Sequence, residues 1–223
     1  MQIFWNKFKE KDFTFDFIYL FLIVIILSIS FLISTYLIFN KPVFDAADLK
    51  ILRTPEKLLL FIIIIPIIEE FSMRGLFVIN NKLNIILWTV CLLAVLFTCC
   101  SQLWVLIPIT SGIVTLSLLL LFNLEFRQAF NHFISKYFLL FLFLTSVVFG
   151  LLHLNNYQTL DTHTVLRILP RILGGFYLGY IAKKYGIMYS ILMHCVNNII
   201  PFCGFNEAKP IQTLSAEKAL LDK

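Results

Sequence analysis

An all-α, polytopic membrane bundle of about seven spans is the fold class this sequence predicts, and three observations predict it. Hydrophobic residue types make up 60% of the 223 residues, charged ones 14%, and the mean hydropathy is +0.89, far from the balance of a water-soluble domain. The apolar residues come in runs long enough for helical spans of about 20 residues. No segment shows the short alternating strands of an outer-membrane barrel, and helices are the other structure that satisfies its own backbone in lipid.

A charged head, residues 1–12, holds Lys7, Lys9 and Lys11 and precedes the first span, Phe13 to Phe39. That run is longer than a signal-peptide core and lacks a small-residue cleavage site behind it, so it is expected to stay as an anchor. Asn40 to Glu56 is polar, contains Pro42 and Pro55, and predicts a loop with room for a surface helix. Lys57 to Ile79 is the second span. Leu83 to Cys100 and Leu103 to Phe122 are uncharged, are parted by Ser101 and Gln102, and predict the third and fourth. A polar link, Asn123 to Lys136, leads to the fifth, Tyr137 to Leu154, and a loop, Asn155 to Thr164, leads to the sixth, Val165 to Ala182. A tight turn over Lys183 to Gly186 enters the seventh, Gly186 to Cys203. The transmembrane domain is thus expected over 13–204, and the polar tail, 205–223, carries no lipidation box.

The net charge of +5 does not point to nucleic acid, because the basic residues are scattered where they flank apolar runs. With the N-terminus inside, Lys7, Lys9, Lys11, Lys82, Arg127, Lys136, Lys183 and Lys184 fall inside but Lys41, Lys50, Arg53 and Lys57 fall outside, so the positive-inside rule alone gives no decision. The first group and the shortness of the Lys183–Lys184 turn favour an inside N-terminus. Cys91, Cys99, Cys100, Cys195 and Cys203 lie in or beside predicted spans without zinc-site spacing or a disulfide framework, and read as small apolar residues. Gly175 and Gly179, at GxxxG spacing, are expected to pack an internal helix rather than a second copy.

The chemistry concentrates in the second span. Glu69, Glu70 and Arg74 sit inside an apolar run, and each ionisable residue at the bilayer centre costs roughly 2.5–3.5 kcal/mol even on the lenient scale. Glu70 and Arg74 are four apart, share a helix face and can pair, whereas Glu69 is rotated by about 100° and is left to face a cavity. A structural ion cluster is the alternative. Pro66 cannot donate its N–H and should loosen the helix just before the acidic pair. His153 closes the fifth span one turn after Phe149. His194 and Asn198 are four apart in the seventh, with Asn197 near that face. Polar residues at membrane depth on separate helices can converge on one cavity or serve as interhelical hydrogen-bond partners.

In this order EExxxR (Glu69 to Arg74), FxxxH (Phe149 to His153) and HxxxN (His194 to Asn198) resemble the CAAX protease and bacteriocin-processing (CPBP, or Abi) family of intramembrane glutamic endopeptidases, over about Pro66 to Pro201. The segment from Pro170 to Tyr180 resembles the small-residue stretch usual between its second and third motifs. The resemblance implies that Glu69 and His153 polarise a water, that Arg74 holds Glu70, and that His194 and Asn198 hold the oxyanion. It implies no cofactor. Met73 stands where the family commonly has an aromatic, and two extra spans separate Arg74 from Phe149, which bears on substrate choice.

The expected activity is therefore metal-independent hydrolysis of a peptide bond in a membrane-associated peptide or protein, such as a bacteriocin or pheromone precursor or a CaaX-like tail, with a role in bacteriocin maturation or self-immunity. The Phe-, Ile- and Lys-rich composition looks like an AT-rich bacterium, which places the protein in a bacterial plasma membrane and favours bacteriocin or signalling peptides. Two carboxylates and two histidines could in principle bind zinc, but HExxH is absent and Arg74 would oppose a cation beside Glu70. Two other classes remain: a non-catalytic membrane partner that regulates another protein such as a sensor kinase, and a transporter in which Glu69 carries a proton, for which no inverted repeat is apparent.

Overall fold

Lipid offers the backbone no hydrogen-bond partner, so each apolar run must close its own N–H and C=O groups, and in the computed structural model each does so as a helix. The structure describes residues 12, 14–39, 55–100, 102–156 and 161–204. Most of the charged head, most of the Asn40–Glu56 loop and the polar tail lie outside the described residues. Helix α1 covers Phe15–Phe39. Helix α2 runs through Pro55–Leu59, a π-helical turn Leu60–Ile64 and Ile65–Arg74, and ends in a 3-10 turn, Gly75–Val78. Then follow α3 (Lys82–Cys99), α4 (Leu103–Phe122), α5 (Leu124–Lys136), α6 (Phe138–Leu152), α7 (Thr162–Arg167), α8 (Leu169–Tyr185) and α9 (Ile187–Gly204).

No strand occurs among the described residues, and the chain is an all-α polytopic bundle. Four helical segments among them are long and apolar enough to cross a membrane, namely α1, α3, α4 and the α7–α8 run, or five if the bent pair α5–α6 is one span. Helices α2 and α9, which carry motif residues, are not among these. Large apolar side chains face outward on the spans, among them Ile26, Trp104 and Phe122, as lipid rather than water requires.

Helix α8 is the hub, packed against α6, α9 and α1, while α2 packs against α3 and α9. The contact with α6 is a seam of small residues. A Cβ added at Gly150 would stand 2.3 Å from Ile172 Cγ1, and one at Gly179 would stand 2.4 Å from Leu142 Cδ1. One at Gly175 would stand 3.1 Å from both Ser146 Cα and the Arg74 guanidinium. The GxxxG pair thus serves an internal neighbour, and the bare backbone of α8 is what lets Arg74 fit. Gly186 joins α8 to α9 with φ 107° and ψ 163°, a conformation that only glycine adopts without strain.

The end of the second run is pinned by amides: Asn84 Nδ2 donates to the Val78 carbonyl at 2.8 Å and Asn131 Nδ2 to that of Ile79 at 2.7 Å. Helix α1 is tied to α8 by a buried cluster that the sequence reading did not single out. Lys184 Nζ lies 2.6 Å from Asp16 Oδ2, while Tyr180 and Tyr185 donate to the same carboxylate at 2.8 and 2.5 Å. Phe17 adds an apolar anchor against Tyr177, Leu178, Ile181 and Met193.

Two expectations need correction. Asn123–Lys136 is not a polar link but helix α5, capped by Asn123 Oδ1 accepting from Phe126 N–H at 2.9 Å and turned 82° from α6. Its apolar residues are few but recur at helical spacing, as in Phe126, Phe130 and Ile134, and periodicity rather than mean polarity decides. The Asn155–Thr164 loop is shorter than expected, since His153–Asn156 form a 3-10 turn and α7 begins at Thr162, with Asp161 accepting from Thr164 N–H at 2.8 Å.

Candidate active site

Pro66 shapes the helix that carries the acidic pair. Ahead of it the chain widens into the π-helical turn, in which Ile65 N–H donates to Leu60 O, five residues back. The next donor in that register would be residue 66, which has no N–H to offer the Phe61 carbonyl. Asn198 Nδ2 of α9 donates to that carbonyl at 3.1 Å. Asn198 thus joins α9 to the point in α2 where the proline interrupts it, a contact that its motif position did not reveal.

Glu70 is fully buried and its two oxygens are occupied by three partners. Arg74 Nη1 donates to Oε1 at 3.1 Å, His194 Nδ1 meets the same oxygen at 2.9 Å, and Ser190 Oγ donates to Oε2. The Ser190 hydroxyl shares its one proton with the Leu178 carbonyl, 2.9 Å away. Arg74 is also fully buried, and its guanidinium carbon stands 4.2 Å from the centre of the Phe149 ring. The face of that ring partly replaces solvent for Nε and Nη2, which have no hydrogen-bond partner. The i,i+4 pairing read from the sequence is present, and the network around it ties α2, α8 and α9 together.

Glu69 is set apart from this network. Its side chain keeps 25% exposure, and both histidines turn Nε2 toward it, His194 at 3.5 Å and His153 at 3.9 Å. The far nitrogens settle the ring chemistry. His153 Nδ1 lies 2.7 Å from the Phe149 carbonyl, which can only accept, so Nδ1 carries a proton and Nε2 is the nitrogen turned toward Glu69. His194 Nδ1 donates to the Glu70 carboxylate in the same way. Phe149 lies edge-on to both imidazoles, with ring centres 4.8 Å from His153 and 5.8 Å from His194, and walls the site on the side of Arg74.

The structure therefore brings Glu69, Glu70, Arg74, His153 and His194 together from α2, the 3-10 turn that follows α6, and α9, and sets Asn198 one turn beyond His194 on the Phe61 carbonyl. Asn197 is exposed. Sequence reasoning missed Ser190, whose only signal is its place four residues before His194 on the same helix face, and it took Phe149 as a spacing marker rather than a wall of the site. Among the described residues no group of three or more His, Cys, Asp or Glu side chains is arranged to hold a metal ion. A partly exposed carboxylate flanked by two fixed imidazoles is able to bind a water and accept its proton, while the buried carboxylate beside it orients one of those rings.

Neither the curated proteins nor the solved structures yield a match to this chain. A family model described as type II CAAX prenyl endopeptidase Rce1-like matches residues 54–200. That stretch contains the acidic pair, both histidines and Asn198. The chain belongs to the Rce1-like family and is, at the level of that family, a CAAX-type protease of the membrane.

Proposed function

We propose that the protein is an intramembrane endopeptidase that hydrolyses a peptide bond in a membrane-associated peptide or protein with a water activated by Glu69 and His153. The observation that carries this reading is the convergence of two imidazole Nε2 atoms on the partly exposed carboxylate of Glu69, with both Nδ1 atoms already engaged. A water between Glu69 and His153 is polarised from two sides, and its oxygen adds to the scissile carbonyl carbon. Glu69 takes the proton and stands 3.5 Å from His194 Nε2, close enough to hand it over. The doubly protonated ring then donates from Nε2 to the developing oxyanion. One amide hydrogen of Asn198 is engaged by Phe61, and the second is the donor we assign to the same oxyanion. Breakdown breaks the C–N bond, and the proton goes to the leaving amine.

The chemistry is glutamic and metal-independent in this reading, because Glu70 is filled by Arg74, His194 and Ser190. The substrate is a bacteriocin- or pheromone-type precursor or a CaaX-like tail, cleaved at a bacterial plasma membrane. The test compares protein N-termini and released peptides from cells carrying wild-type protein or Glu69→Gln at equal abundance. A peptide that vanishes with Glu69→Gln and with His153→Ala, and persists when purified protein is treated with chelator, is expected. Cleavage that survives both substitutions rules the mechanism out, and full rescue of a deletion phenotype by Glu69→Gln would indicate a non-catalytic partner instead.

A further inference from the structure

Helix α4 is finished on one side only. Its inner face, with Leu106, Ser117 and Leu120 buried, packs against α3 and α5, and there Ser117 Oγ lies 2.7 Å from Thr89 Oγ1 of α3. The opposite face is formed by Trp104, Pro108, Ser111, Thr115, Leu118 and Phe122, all exposed. Their spacing alternates four and three residues, the period of about 3.5 that makes a helix–helix seam. At about 100° per residue they point roughly 180° away from the buried side.

The middle of this seam is polar. With 20 residues α4 is about 30 Å long, which matches the hydrocarbon core and puts Ser111 and Thr115 within about 5 Å of its centre. Thr110 and Ser117, on the same helix, donate to the Ile107 and Ile113 carbonyls at 3.0 and 2.7 Å. The Ser111 and Thr115 hydroxyls make no hydrogen bond among the described residues. Pro108, on their face, has no N–H to offer the Trp104 carbonyl. Lipid supplies no partner for such groups. Trp104 and Phe122, which end the seam, are the most exposed large apolar side chains among the described residues, at 75% and 81%.

The geometry points to a second copy of this chain as the partner of that face, docked α4 against α4 as a parallel two-fold pair. Copies in one membrane share one orientation, so a two-fold axis along the membrane normal sets each seam residue opposite its own counterpart. A hydroxyl both donates and accepts, so Ser111 and Thr115 complement themselves, as a charged group does not. The helix carries no charge that would select a different partner. Its inner face already shows the contact in kind, Ser117 against Thr89. No residue of the candidate site lies on α3, α4 or α5, which sets the seam apart from the peptide to be cut. The two spans inserted between Arg74 and Phe149 thereby acquire a role: α3 binds the body and α4 presents the seam. This does not depend on the hydrolytic reading.

The experiment reconstitutes full-length protein, labelled with donor or acceptor on a C-terminal tag, in phosphatidylethanolamine–phosphatidylglycerol vesicles and follows energy transfer against protein density. Transfer should rise above the proximity level of monomers and saturate as pairs form. Ser111→Ala with Thr115→Val removes both hydroxyls at nearly constant shape. It should raise the density for half-maximal transfer roughly tenfold, the size expected of one interhelical hydrogen bond at each of two levels. Thr115→Ser keeps the hydroxyl and should keep the association, and Val114→Ala, lipid-facing but off the seam, should leave it unchanged. Melting in detergent reports an intact fold for each variant. Transfer no higher than for monomers at the highest density overturns the proposal, including the case in which the seam receives a helix of another membrane protein. Transfer that ignores the seam substitutions also overturns it, because the copies then meet elsewhere. An equal loss in Thr115→Ser and Thr115→Val does the same for the hydroxyl contact.

Discussion

Glu69 and Glu70 are adjacent in the chain and opposite in surroundings, and their substitution should separate stability from activity. Removing the cation paired with a carboxylate that has no solvent exposure leaves a buried charge, so Arg74→Met is expected to cost about 3–5 kcal/mol and to lower thermal stability in detergent sharply. Ser190→Ala removes one of three partners and should cost about 1–3 kcal/mol. Glu69→Gln, on a partly exposed side chain, should change stability by no more than about 0.5 kcal/mol while abolishing turnover. Melting curves of the three variants set beside their activities check this, and a large stability loss in Glu69→Gln would show that the two carboxylates form one structural unit. The pairing of Glu70 with Arg74 was legible because helical period alone places residues four apart on one face. Ser190 was not, since an uncharged side chain in an apolar run gives no cost signal, and its role exists only once α2 lies against α9.

Among the helices, the interrupted one is the most informative. Pro66 was read as loosening α2, and the carbonyl five residues before it, that of Phe61, accepts from Asn198 across the helix–helix contact. Asn198→Ala is therefore expected to destabilise the protein by about 1–3 kcal/mol, and Pro66→Ala, which restores a backbone donor, should offset part of that loss. A double-mutant cycle on thermal unfolding should return a coupling of about 0.5–3 kcal/mol, whereas additive effects would mean that the Asn198–Phe61 contact carries no energy. Helix α5 shows the limit of reading runs by polarity. Its Glu125, Arg127 and Lys136 made it look like a link, but the cap at Asn123 and the Phe126, Phe130 and Ile134 stripe were already in the sequence. The seam of Gly150, Gly175 and Gly179 was half legible: spacing marked the last two as a contact surface, and only the fold names α6 as the partner.

At the scale of the whole molecule, α1 lies outside the family-matched residues 54–200 and is held to α8 by the Asp16–Lys184 pair and two tyrosines. Lys184→Met should leave Asp16 buried without its cation at a cost of about 3–5 kcal/mol, and adding Asp16→Asn should recover most of it. Faster hydrogen exchange in Phe15–Phe39 for the single variant, and its reversal in the double, would check this. Unchanged exchange would mean that apolar packing of Phe17 suffices. The distribution of Glu70's partners along the chain has a further consequence, for biosynthesis. Arg74 follows Glu70 by four residues, so that pair is complete as soon as α2 is made, before α9 exists. Ser190 and His194 follow Glu70 by 120 and 124 residues. At about 5–20 residues per second the ribosome needs on the order of 10 seconds to supply them. On the proposed mechanism the site therefore stays incomplete until α9 docks, and a chain that stalls before α9 would lack the ring that Glu70 orients.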